Sequence, residues 1–147
     1  MQIRHAKQDD EADLAWLLED HERHYGKPVT PGAGAAGAAF LVEPSTSGTL
    51  CLVAEQDGKL AGFAILNPYF PAPGLTHGLH LKELYIAAAA RSAGVGEKLI
   101  EAIRGLARKR GATQVRWTTG EDNTGAQRFY ERLGMQRQKK VNYVMDV

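Results

Sequence analysis

The segment best equipped for chemistry is Leu84-Tyr85-Ile86-Ala87-Ala88-Ala89-Ala90-Arg91-Ser92-Ala93-Gly94-Val95-Gly96. A strand pattern ends, a loop of small residues follows, and a helical pattern begins at the glycines. The first backbone N–H groups of a helix have no intrahelical acceptor, and the dipole adds positive potential, so such a turn can hold a phosphate. Gly94 and Gly96 put no Cβ between the backbone and a ligand. Two better-known glycine loops are excluded. A Walker A loop would need glycine where Arg91 stands, and a dinucleotide fingerprint starting at Gly94 would need its third glycine at Leu99. Taken alone, the turn also fits an ordinary strand-to-helix connection that holds no ligand.

Other residues carry chemistry too. Strand alternation puts Leu81, Glu83 and Tyr85 on one face and Lys82, Leu84 and Ile86 on the other. Glu83 can accept a proton or position a water, or it is a surface carboxylate paired with a neighbouring base. Tyr130 offers a phenol that donates at neutral pH. Its helical spacing with Ala126, Phe129 and Leu133 also suits a core tyrosine. His21-x-x-His24 and His77-x-x-His80 have metal-ligand spacing, but no carboxylate or cysteine set accompanies them, so no metal is expected.

These groups need elements to position them. Residues 2 to 6 read as a strand, and Asp9 or Asp10 can cap a helix carrying Leu14, Leu17 and Leu18 on one face. The Ala/Gly-rich stretch from Pro31 to Ala39 is either a weak helix or a mobile loop. Thr49 to Ala54 and Leu60 to Leu66 form two strands around a turn carrying Asp57-Gly58. Pro68, Pro71, Pro73 and Gly74 mark a loop before the strand Leu79 to Ile86. Val95, Leu99, Ile103 and Leu106 recur at helical spacing, and Gly111 closes that helix. Gln114 to Thr119 is a strand, and a short helix bearing Tyr130 follows, stopped by Gly134. Gln136 to Gln138 and Val141 to Met145 read as two last strands. The order implies a mixed α+β domain around one central sheet, with residues 1–147 as a single domain.

Composition fits that domain: 147 residues, 44% hydrophobic and 24% charged, with a net charge of +1. No apolar run is long enough to span a membrane, and Met1-Gln2-Ile3-Arg4-His5 lacks the features of a secretory signal. Cys51 is the only cysteine, so no internal disulfide can form and a cytoplasmic location is expected. Charge is unevenly spread. Residues 9 to 22 hold Asp9, Asp10, Glu11, Asp13, Glu19, Asp20 and Glu22 and no Lys or Arg; residues 91 to 116 hold seven bases against Glu97 and Glu101. One region could attract a cation and the other a polyanion, or both are solvated helix faces. The basic stretch has no interleaved aromatics beyond Trp117, so no nucleic-acid partner is expected.

Arg91-Ser92-Ala93-Gly94-Val95-Gly96 resembles Arg/Gln-x-x-Gly-x-Gly/Ala, the signature of the GNAT acetyltransferase superfamily. Asn123-x-x-Ala126-x-x-Phe129-Tyr130-x-x-Leu133-Gly134 resembles that family's second block. Trp117-Thr118-Thr119 is similar to a subgroup including fungal histone and polyamine acetyltransferases. The strand Leu81 to Ile86 is similar to both that subgroup and the diamine acetyltransferases. The resemblance is strong over residues 79 to 134. Two departures stand out: Ser92 replaces a frequent glycine, and Lys82 replaces the first of two carboxylates found in the diamine enzymes.

The resemblance implies a sheet splayed between the strands of residues 80 to 86 and 113 to 119, with the pantetheine arm of acetyl-CoA between them. Leu84, Tyr85 and Ile86 would pair with its amides as an added strand would. The N–H groups of Arg91, Ser92, Ala93, Gly94, Val95 and Gly96 would hold the pyrophosphate, and Asn123 would sit near the cofactor arm. Tyr130 occupies the general-acid position, and Glu83 is the candidate base or water-positioning group. Glu121 and Asp122 either orient an amine or solvate their turn. The activity implied is acetyl transfer from acetyl-CoA to a primary amine of a small molecule or peptide, by direct attack in a ternary complex. Alternatives are a longer acyl-CoA as donor, or a non-catalytic module that binds acyl-CoA. Late strands often build interfaces in this fold, which leaves room for a homodimer.

Overall fold

The computed structural model describes residues 1–43 and 48–147. Its elements run β1 (Gln2–His5), a 3-10 turn (Gln8–Asp10), α1 (Glu11–His24), α2 (Ala33–Val42), β2 (Leu50–Gln56) and β3 (Lys59–Ala72). There follow β4 (Thr76–Ile86), a second 3-10 turn (Ala88–Ala90), α3 (Val95–Lys109), β5 (Gln114–Arg116) and α4 (Thr124–Arg132). The strands make one sheet in chain order, antiparallel from β1 to β4 and parallel between β4 and β5. The mixed α+β architecture expected from the sequence is present. The chain divides into two compact units, Met1–Trp117 and Thr118–Val147.

In the first unit the sheet is covered on both faces. Cys51, Val53, Phe63 and Tyr85 pack with Leu14 and Leu17 of α1 and Ala38 of α2. The alternate residues Leu52, Ala54, Ala64 and Leu66 are also buried, as are Val95, Leu99, Ile100 and Ile103 of α3, which packs on the sheet. Period-2 strands and a 3.6-period helix thus bury complementary faces, the main favourable term in folding. Cys51 lies in this core, and burial pushes its thiol up to about 12.

Arg4 ties three elements together. Its guanidinium donates to Asp10 at 2.7 and 2.8 Å and to Glu55 at 2.6 and 2.9 Å. Asp10 stands at the start of α1, but its carboxylate turns to Arg4 and accepts the Lys7 amide at 2.8 Å instead of capping α1 itself.

The structure decides one open expectation and corrects others. Of the weak helix and the mobile loop, the Ala/Gly stretch is the helix, because its glycines let α2 approach α1 closely. A Cβ on Gly34 would stand 2.8 Å from the Ala15 carbonyl and 2.7 Å from Glu19, and one on Gly37 would stand 3.2 Å from Leu18. The close contact outweighs the weak propensity of glycine. The proline-rich segment is largely strand, since β3 runs on to Ala72 through Pro68 and Pro71. Pairing with β2 ends at Leu66, so a proline beyond it removes no ladder bond on that side.

The β4 alternation is broken by a bulge. Ile65 pairs with Glu83 and Leu66 with Leu81, leaving Lys82 as the extra residue. Because cross-strand partners share a face, Leu81 follows Leu66 to the opposite side from Glu83 and Tyr85. β5 is shorter than expected, ending at Arg116 where its pairing with β4 stops. The two last strands are absent among the described residues. Residues 133–147 form no ladder, and Val141, Tyr143, Val144 and Met145 are exposed. An alternating apolar pattern becomes a strand only where a partner edge is available. The Asp57-Gly58 turn is as expected, both residues taking the positive φ that a tight hairpin favours (52° and 76°).

Candidate active site

β4 places its last residues on an edge with one side open. Ala64, Phe63 and Gly62 of β3 pair with Leu84, Tyr85 and Ile86, whereas β5 pairs only with Gly78, Leu79 and His80. From Leu81 onward no strand among the described residues covers the other side. Backbone groups on such an edge can pair with an extended amide-bearing chain. Arg91 reaches back to this edge: its Nε donates to the Ile86 carbonyl at 3.1 Å, and its guanidinium lies 5.7 Å from the centroid of the Tyr85 ring.

The turn after β4 leads into α3. Ala90 and Arg91 amides close the 3-10 turn on Ala87 and Ala88, and residues 91 to 94 are exposed. The first helical bond runs from the Lys98 amide to the Gly94 carbonyl at 3.1 Å, so the amides of Val95, Gly96 and Glu97 precede the ladder. Gly94 has φ +75°, and a Cβ there would meet nothing within 4 Å; conformation, not space, calls for glycine. Ser92 also takes a left-handed φ, +68°. This accounts for the frequent glycine at its position in the motif: serine accepts strain there that glycine would not.

On the α1 side of β4, carboxylates and aromatic rings gather. His21 is buried, its Nε2 3.0 Å from Glu83 Oε2 and its Nδ1 3.3 Å from Glu22 Oε1. Lys82 Nζ lies 3.5 Å from Glu83 Oε1. Burial pushes the Glu83 carboxyl up, but the His21 hydrogen bond, its charge and Lys82 together outweigh that and hold the group below its ordinary 4.5. Glu83 is therefore a carboxylate at neutral pH. The Tyr85 hydroxyl donates to Asp20 at 2.7 Å, and burial followed by that acceptor pushes its phenol up to about 12. Other acids of α1 are engaged as well: Glu19 accepts from Arg23 at 2.9 Å, and Asp13 accepts the Leu60 amide at 3.2 Å.

The second unit carries Asn123 and Tyr130 together on α4. Asn123 is the N-cap, its Oδ1 accepting the Ala126 amide at 3.3 Å. Tyr130 lies beside Phe129, ring centroids 5.3 Å apart, and is half-buried. Gln127 Nε2 donates to the carbonyls of Gly120 and Glu121 and so fixes the turn ahead of the helix.

Residues 7–135 match the model of the acetyltransferase (GNAT) family. The chain belongs to that family. An uncharacterized N-acetyltransferase of Bacillus subtilis (strain 168), YhfO, is 28% identical over 148 residues, covering 100% of this chain and 98% of that one. The Saccharomyces cerevisiae D-amino-acid N-acetyltransferase HPA3 is 26% identical over 129 residues, covering 85% of this chain and 80% of that one. Among solved structures, the crystal structure of a probable acetyltransferase superposes with a TM-score of 0.86 at 26% identity, covering 100% of this chain and 98% of that one. The fold is thus the GNAT α+β fold, with a five-stranded mixed sheet flanked by helices. This GNAT chain is an acetyl-CoA-dependent N-acetyltransferase, and its acceptors are amines.

Within the first unit of the GNAT chain, the expected residues Leu84, Tyr85, Ile86 and Arg91 to Gly96 lie along one continuous edge and turn. Sequence reasoning missed His21 as the partner of Glu83, having weighed it only as half of a metal pair. Its spacing from Leu14 and Leu17 gave a signal, since all three fall on the buried face of α1. Among the described residues no group of three or more His, Cys, Asp or Glu is placed to hold a metal ion, and no helix is long and apolar enough to cross a membrane.

Proposed function

We propose that the chain acetylates a primary amine of a small molecule or peptide by direct attack on acetyl-CoA in a ternary complex. The observation that carries this is the open edge of Leu84 to Ile86 running straight into a turn whose helix-start amides precede the ladder. An extended pantetheine arm would add to the edge as a strand does, and the pyrophosphate would lie on the amides of residues 92 to 96, the Arg91 amide already closing the 3-10 turn on Ala88. Asn123 would sit beside the cofactor arm with the amide nitrogen of its side chain, since its oxygen caps α4.

An alkylammonium has a pKa near about 10.4 and no lone pair at neutral pH, so a proton must leave before attack. Glu83, held ionised, positions the ammonium or the water that takes this proton. The freed nitrogen forms a bond to the thioester carbonyl carbon, and backbone N–H groups on the open edge stabilise the oxyanion. The C–S bond then breaks, the departing thiolate takes a proton from the Tyr130 hydroxyl, and the second proton on the acylated nitrogen leaves through solvent and is replaced on the phenolate, which restores Tyr130.

A cationic acceptor would meet the ionised Glu83 in the place that Lys82 Nζ takes 3.5 Å from its Oε1, whereas Asp13, Glu19 and Asp20 of α1 are held within the fold. The motif similarity to fungal histone/polyamine and diamine acetyltransferases, together with the amino-acid acceptor named for the yeast relative, supports trying polyamines and basic amino acids first. Assaying thiol release from acetyl-CoA across amines, amino acids and peptides tests this. Turnover is expected with at least one amine, fastest with cationic ones; preference for neutral or anionic acceptors overturns the cationic assignment. The proposal includes a homodimer, and a monomer mass by light scattering removes that part.

A further inference from the structure

Glu83 cannot hold one geometry unaided. It follows the Lys82 bulge on the open part of β4, and its side chain remains 31% exposed. What fixes it comes from another element. His21, 6% exposed in its side chain, approaches Glu83 Oε2 with Nε2 at 3.0 Å. The imidazole is itself wedged in place. Its ring makes edge contacts with Phe63 at 6.1 Å, Tyr85 at 5.4 Å and Tyr25 at 5.0 Å between centroids. Glu22 faces its other nitrogen. A donor this well packed selects one rotamer of the carboxylate and leaves the second oxygen, Oε1, on the side of Lys82.

We propose that His21 is the positioning residue for Glu83: it donates from Nε2 to Oε2 and so aims Oε1 at the acceptor amine. This rests on the role assigned to Glu83 above and extends it to a residue on α1. The charged and titratable groups facing the pair are Glu22, Tyr25 and His24 from α1 and Lys82 and Tyr85 from β4, Tyr85 in turn meeting Asp20 and Arg91. With His21 removed, Lys82 alone is left to offset the burial of Glu83, and its carboxyl must rise.

The test follows the pH profile of kcat/KM and, in parallel, the Glu83 carboxyl carbon by NMR, in whole wild-type, His21→Ala and His21→Gln proteins. His21→Ala is expected to lower kcat by about tenfold to a hundredfold, the range seen when a reacting group is misplaced. It should also move both the acidic limb and the Glu83 midpoint to higher pH and leave acetyl-CoA affinity unchanged. His21→Gln places a neutral donor at similar reach and should recover most of the turnover. A folded His21→Ala protein with an unmoved acidic limb, or equal loss in both variants, overturns the proposal. Should His21→Ala not fold, the wild-type histidine nitrogen spectrum decides: Nε2 must carry the proton, and a bare Nε2 overturns it. Wild-type protein that acetylates no amine overturns this proposal and the function together, whereas amine turnover with an unmoved limb overturns this one alone.

Discussion

Tyr130 and Asp10 show how differently single side chains can be tested here. Tyr130 sits on α4 next to Phe129, and its assigned work is to give a proton to the departing thiolate. Tyr130→Phe keeps the ring and removes the proton, so kcat is expected to fall at least about tenfold. Calorimetric affinity for acetyl-CoA should be unchanged; full turnover in Tyr130→Phe would take the phenol out of the mechanism. Asp10 does structural work. The Arg4 hydrogen bond is the chief cause that holds its carboxyl below the ordinary 3.8, against the opposing effect of burial. A depressed folded pKa means stabilisation present above the unfolded pKa and lost as pH falls through the folded one. Asp10→Asn is therefore expected to cost about 1–3 kcal/mol at neutral pH, by loss of a charged hydrogen-bonded pair. In denaturant titrations the gap from wild type should close below about pH 3.8. A gap that stays constant down to pH 2 or so contradicts this assignment.

Glycines separate a helix face packed against another helix from one that meets no neighbour. Gly34 in α2 lies against the Ala15 carbonyl, while Gly105 in α3 has nothing within 4 Å of a built Cβ and no positive φ. Gly34→Val should destabilise by about 1–3 kcal/mol, because a branched side chain forces α1 and α2 apart. Gly105→Ala should stabilise by about 0.5–1 kcal/mol through helix propensity alone. Thermal melts of the pair check both signs, and stabilisation by Gly34→Val would refute the packing of these two helices. The same contrast explains what could be read from the chain. α1, α3 and the β2–β3 hairpin were legible because apolar period and turn chemistry agree in each. α2 was not, since its glycines look like breakers until a second helix is laid against them. The bulge at Lys82 was hidden too, because one extra residue in a register leaves no mark in composition.

For the molecule as a whole, the turn from strand to helix was visible in the sequence through the spacing of Arg91, Gly94 and Gly96 after an apolar strand, and the open strand edge followed from the family resemblance of that motif. The support behind them was not, because Asp20–Tyr85 and His21–Glu83 join residues more than sixty positions apart. Local patterns report local structure; pairings across the fold appear only once α1 lies on the sheet. The central claim is that helix-start amides and a bare strand edge together grip acetyl-CoA. Isothermal titration of acetyl-CoA into folded protein tests it most directly. The account predicts saturable heat with one site per chain, weakened when Gly94 is replaced by Val, whose Cβ disfavours the left-handed turn. Folded protein that gives no heat with acetyl-CoA and no shift in melting temperature would contradict it.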